Sequence, residues 1–115
     1  AQQGCADVLA ADEFNPGAHY LLALCREHAG DRDGAARHDR TAVYIDPDFA
    51  MARLHLGLLC RRSGDAKAGR LELREALERL AREDTSRILL FGGGFGREAL
   101  MRLCADELRA CGAAK

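Results

Sequence analysis

The chain has 115 residues, 48% of them hydrophobic and 30% charged, which is enough length and apolar content for one folded domain with a real core. Its net charge of −1 provides no long-range field toward nucleic acid or an anionic membrane. No apolar run approaches the ~20 residues that cross a bilayer, and no signal peptide opens the sequence.

Gln3 to Asp12 reads as a short helix carrying Cys5, Val8 and Leu9. It has no partner of its own, so residues 1–14 are taken as the end of an earlier repeat, and the start without Met as the edge of a longer protein. Glu13-Phe14-Asn15-Pro16 breaks that helix, because the residue before a proline is driven out of helical backbone. Gly17 to His28 is the next helix, with Ala18, Leu21, Leu22 and Cys25 at three- and four-residue steps forming one apolar stripe. Gly30 suits the left-handed position that ends a helix, and Asp31 then caps a helix that runs to Ile45. Asp46-Pro47-Asp48 stops it, with Asp48 placed to cap the helix after it.

The same pattern then returns. Ala50, Leu54, Leu56, Leu58 and Leu59 make an apolar helix, Gly64-Asp65 repeats the stop and cap, and Leu71, Leu73, Ala76, Leu77 and Leu80 line a long second helix. Gly30-Asp31 precedes Gly64-Asp65 by 34 residues, and Ala18/Ala52, Leu22/Leu56, Leu24/Leu58, Arg40/Arg74 and Ala42/Ala76 agree at that offset. A fixed period across both arms of a hairpin marks a repeat. Ala23 and Gly57 on the first helices, with Ala35 and Gly69 on the second, leave room for close crossing. Arg82 to Ser86 reads as a linker. The run Ile88 to Phe91, helical or extended, covers the open edge, and Gly92 to Gly96 cannot lie inside a helix or strand at acceptable cost. Arg97 to Cys111 is a final helix that caps the array.

Both units resemble tetratricopeptide repeats. Arg53, Leu56, Gly57, Cys60, Gly69, Leu73 and Ala76 hold the pattern in the second; His19, Leu22, Ala23, Arg26, Ala35, Asp39, Ala42 and Pro47 hold a degenerate version in the first. The resemblance implies an all-α, right-handed solenoid of helical hairpins, with repeat one at 16–48, repeat two at 50–82 and a glycine-rich connector with capping helix at 87–111. A narrower resemblance rests on Tyr44 to Ala50, His55 to Leu59 and Ile88 to Cys104, above all Phe91 to Gly96 followed by Arg97-Glu98-Ala99-Leu100. These are similar to the repeat region behind the catalytic domain of CheR-type chemotaxis-receptor methyltransferases. That likeness implies a parent enzyme that uses S-adenosylmethionine on receptor glutamates, and nothing catalytic in this piece.

The groove residues that the repeat pattern implies are Tyr20, Leu24, Glu27 and His28 in the first unit, and Leu54, Leu58, Arg61 and Arg62 in the second. An apolar floor with Arg and His at its rim suits an amphipathic or acidic peptide. The expected function is therefore docking of the methyltransferase to a receptor or signalling protein, with self-association or spacing of neighbouring domains as the alternative. No catalytic, cofactor or metal residues are assigned. The glycine run matches neither dinucleotide nor phosphate-loop spacing, no His or Cys pair has zinc spacing, and Cys25 with His28 lacks an orienting acid. The five cysteines, Cys5, Cys25, Cys60, Cys104 and Cys111, are odd in number and irregularly spaced. They read as reduced thiols in a cytoplasmic protein.

Overall fold

The computed structural model describes residues 14–113, with the side chains of 111–113 set aside. Six helices succeed one another: α1 Pro16–His28, α2 Arg32–Ile45, α3 Ala50–Arg62, α4 Ala66–Leu80, α5 Thr85–Phe91 and α6 Arg97–Ala113. Among the described residues there is no strand. The helix expected over Gln3 to Asp12 lies outside them.

Local chemistry sets each boundary. Asn15 accepts from the Ala18 amide at 3.2 Å to start α1, and Pro16 occupies a position whose missing amide costs nothing. α1 ends in a closed turn in which the Asp31 amide donates to Arg26 O and the Gly30 amide to Glu27 O, with Gly30 at φ +88°. Asp31 then accepts from the Gly34 amide at 2.9 Å to open α2. The turn is rebuilt 34 residues later: the Asp65 amide donates to Cys60 O, Gly64 sits at φ +90°, and Asp65 accepts from the Ala68 amide at 3.1 Å.

α1 packs with α2, α3 with α4, α3 against α2, and α6 against α4. The crossing of α3 with α4 is set by size. A Cβ on Gly57 would stand 2.8 Å from Leu73 Cγ, and one on Gly69 would stand 3.1 Å from Gly57 O. In the first hairpin Ala23 and Ala35 hold the equivalent place, sealed by Leu59 from α3. The larger core runs from Tyr20 and Phe49 through Leu54, Leu73 and Leu80 to Ile88 and Leu100.

Three expectations need correction. Asp48 does not cap α3; Phe49 holds the cap position without a side-chain bond, and the Ala50 amide donates instead to Glu83 Oε2 at 3.0 Å. A carboxylate 33 residues downstream supplies the cap because the turn after α4 brings it there. The linker over Arg82 to Ser86 is shorter than expected, since Asp84 accepts from the Ser86 amide and α5 begins at Thr85, which makes the run Ile88 to Phe91 helical. Finally, Cys60 and Cys104 are free and buried, but Cys25 is disulfide-bonded in the structure, against the expectation of free thiols throughout.

α5 is pinned from the side. Phe91 lies 5.1 Å from the Phe49 ring and 5.7 Å from Tyr20, edge on, and Arg87 stands 4.3 Å over Phe49 while pairing with Asp46 at 2.7 Å. Gly93 and Gly94 then turn the chain into α6. No helix among the described residues is long and apolar enough to cross a membrane.

Candidate functional site

The face formed by α1, α3 and α6 carries a cleft of about 540 Å³ lined by Leu58, Arg61, Arg62, Leu103 and Glu107. Leu58, half-buried on α3, and Leu103 on α6, 39% exposed, line it from two helices. Leu24 on α1, 37% exposed, adds apolar surface outside that lining. Leu24 and Leu58 are equivalent under the 34-residue period, so the repeat itself places them on the same face.

Tyr20 and Leu54, expected on the groove floor, lie beneath it. They are 4% and 2% exposed, because Phe91 from α5 closes over Tyr20 and Leu54 belongs to the main core. Burial and the nearby carboxylates of Asp39 and Glu27 push the Tyr20 phenol well above its ordinary range. His28 is exposed at the end of α1.

The rim also differs from expectation. Arg61 pairs with Glu107 of α6, and Arg62 pairs with Glu27 of α1 at 2.5 Å. The two cations expected to meet a partner's carboxylates are already met within the chain. The cleft is therefore apolar between neutralised edges, and a basic rim is not what it presents.

Glu27 has a second bond. Its Oε1 lies 2.7 Å from His55 Nε2, and His55 Nδ1 lies 2.5 Å from Asp39 Oδ2. Asp39 is fully buried, and neither of its oxygens has a partner with hydrogen-bond geometry among the described residues. The Asp39 contact is therefore read as an ion pair and not as a directed hydrogen bond. Carboxylates from α1 and α2 thus grip one imidazole from α3, which ties the two hairpins together. Burial pushes the Asp39 carboxyl up to about 6, with His55 only partly offsetting it. Burial alone lowers His55, but the Asp39 and then the Glu27 contacts more than reverse this and hold it above its ordinary value. The two carboxylates thus favour the cationic form of the imidazole between them.

This seam was absent from the expected site, yet one signal of it was present. Asp39 stands 34 residues before Leu73, which is fully buried. A carboxyl at a core position of a repeat must find a polar partner, and His55 is that partner. Leu103 and Glu107 carried no such signal, since only the packing of α6 on α4 brings them to the cleft.

Two other histidines meet as well. His19 and His38 bring their Nδ1 atoms to 3.3 Å with ring centroids 5.5 Å apart. At that spacing one ring donates an N–H and the other accepts it. Two imidazoles do not complete a tetrahedral metal site, and no group of three or more metal-binding side chains occurs among the described residues. Burial, then His19, lowers the His38 pKa. Cys25, the thiol expected near His28, is bonded as a disulfide and offers no nucleophile.

Comparison with known proteins supports the architecture. No protein-family model matches the chain. It is 37% identical over 65 residues to a probable biofilm formation methyltransferase, WspC, of Pseudomonas putida; the match takes in 56% of this chain and only 15% of that protein's length. Two solved structures superpose with a TM-score of 0.82. PcrH, in complex with the chaperone binding region of PopD, is 17% identical, and the superposition covers 98% of this chain and 77% of that one. SycD, the type III secretion translocator chaperone of Yersinia enterocolitica, is 15% identical, with coverage of 98% and 70%. At those identities the likeness is one of fold: an all-helical, tetratricopeptide-like array.

Proposed function

We propose that this chain is a non-catalytic protein-interaction module whose cleft between α3 and α6 holds a segment of a partner protein. The observation that carries the reading is the pairing of Leu58 and Leu103 across two helices between ion-paired edges, one of them closed by Glu27 of α1. A partner contributes apolar side chains to such a surface, and the paired rim shapes the entry without supplying net charge. The PcrH structure, which contains a bound segment of PopD, supports a protein ligand for this fold. Within the proposal, residues 16–48 and 50–82 act as two repeat units, 87–111 as connector and cap, and 1–14 as the end of a preceding unit.

The partial match to WspC, together with the resemblance carried by Phe91 to Leu100, supports a place in a chemotaxis-type methyltransferase. There the module would tether the enzyme to a receptor or signalling protein, raising local concentration without adding chemistry. The test is binding of the purified chain to the cytoplasmic segment of a methyl-accepting chemoreceptor, measured by calorimetry. Leu24→Ser with Leu103→Ser, both at exposed positions, is expected to weaken binding at least about tenfold. Unchanged affinity in that variant removes the cleft from the reading. Arg61→Glu with Arg62→Glu is a poorer test, because it sets like charges against Glu107 and Glu27.

A second reading, self-association or spacing of neighbouring domains, is favoured by the apolar surface at Leu89, Leu90 and Phe95, all well exposed. Sedimentation of the isolated chain separates the two: a concentration-dependent dimer without receptor affinity supports the second.

A further inference from the structure

Many of the chain's arginines are engaged in ion pairs. Arg53, Arg61, Arg62, Arg79 and Arg87 each hold a carboxylate. On α2, by contrast, Arg32, Arg37 and Arg40 are exposed and enter no ion pair among the described residues. α2 is the second helix of its hairpin, and it contributes nothing to the leucine-lined cleft. Its three arginines converge: they line a separate cleft of about 470 Å³ with Ala36, Leu59 and Ser63.

Two carboxylates, Asp33 and Asp65, also line this cleft and offset part of its charge, leaving three guanidinium groups against two carboxylates. Asp65 is committed to the Ala68 amide at the start of α4, and Asp33 lies in the first turn of α2, where the helix dipole already holds it. Along the axis of α2, Arg32 to Arg40 spans roughly 12 Å at a rise of about 1.5 Å per residue. That is the reach of a few carboxylate side chains on one peptide segment, and arginine binds carboxylates with two parallel bonds.

We propose that this cleft, between α2 and the α3–α4 turn, is a second docking surface that takes an acidic segment of a protein partner. A polynucleotide fits less well. Its phosphate row is unbroken and would run past Asp33 and Asp65, whereas a flexible peptide sets its few carboxylates beside the arginines alone. The surface does not depend on the leucine-lined cleft, with which it shares no lining residue.

The test uses the full chain and a fluorescein-labelled peptide of alternating glutamate and alanine, followed by anisotropy at low salt. Binding is expected to weaken steeply as salt rises. Arg37→Ser with Arg40→Ser is expected to weaken it at least about tenfold. Arg82→Ser with Arg109→Ser removes the same charge from exposed ion pairs elsewhere and is expected to leave it within about twofold. Leu24→Ser with Leu103→Ser is expected to have no effect, so failure of this surface and failure of the leucine cleft are read apart. Absence of binding overturns the proposal, as does equal loss in both arginine variants. Displacement of the peptide by a single-stranded oligonucleotide of equal charge at lower concentration overturns it as well.

Discussion

Replacing His55 with Gln removes the basic group in direct contact with Asp39 while leaving a side chain of similar length. Asp39 has no exposed surface, and Glu27 keeps Arg62 but loses its inner partner. Breaking a buried pair from one side costs roughly 3–5 kcal/mol, because the remaining charge stays desolvated. For a domain of this size the whole stability is about 5–15 kcal/mol, so a Tm fall of at least about 10 °C is expected. The pH dependence gives a sharper signature. Asp39 and His55 both bind their protons more tightly folded than unfolded, so each makes stability fall as pH rises through its window. For Asp39 the window lies between 3.8 and about 6. For His55 the stabilisation is fully present below 6.5 and is lost as pH rises through its higher folded value. Urea denaturation from about pH 5 to about pH 9 is therefore expected to show the gap between native and His55→Gln chains largest above about 6, where Asp39 is ionised, and closing in alkali as His55 loses its proton. Asp39→Asn in the His55→Gln background is expected to recover part of the loss, a coupling on the order of 1–3 kcal/mol. Additive losses, or a gap that keeps widening into alkali, would refute the ion-pair account.

Smaller changes test the rest of the scaffold by the same denaturation assay. Gly57→Ala gains up to about 1 kcal/mol of helix propensity but sets a methyl 2.8 Å from Leu73 Cγ and 3.2 Å from Leu73 N. With Leu73 fully buried, a net loss of about 1–2 kcal/mol is expected. Gly64→Ala meets no atom within 4 Å but holds an L residue at φ +90°, for a loss of about 1–2 kcal/mol from backbone strain alone. Glu83→Ala uncaps α3 at the Ala50 amide and frees one side of Arg87, with an expected loss of about 1–2 kcal/mol. No loss for this last variant would show that water caps α3 equally well.

Much of the architecture was legible because it is local or periodic. The Gly-Asp turns at 30–31 and 64–65 needed nothing beyond their own backbone conformation and a capping carboxylate, so they could be read residue by residue. The small residues at 57 and 69 foretold the close crossing of α3 with α4, since only size decides how near two helices come. The site was less legible. Tyr20 and Leu54 were placed on an open face by their repeat positions, but α5, which lies outside the repeat, closes over that end of α1. Arg61 and Arg62 looked free because their partners, Glu107 and Glu27, lie 46 and 35 residues away in the chain.

The amino-acid order alone thus determined the helices, most of their caps, the period and the hairpin pairing, since each depends on groups within a turn or two of one another or recurring at a fixed step. Only the tertiary structure decided which cations are spent on ion pairs, which aromatic rings are covered, and how His55 is gripped between Asp39 and Glu27. Those outcomes depend on distances across the seam between hairpins, where desolvation multiplies the worth of a contact that sequence spacing does not reveal.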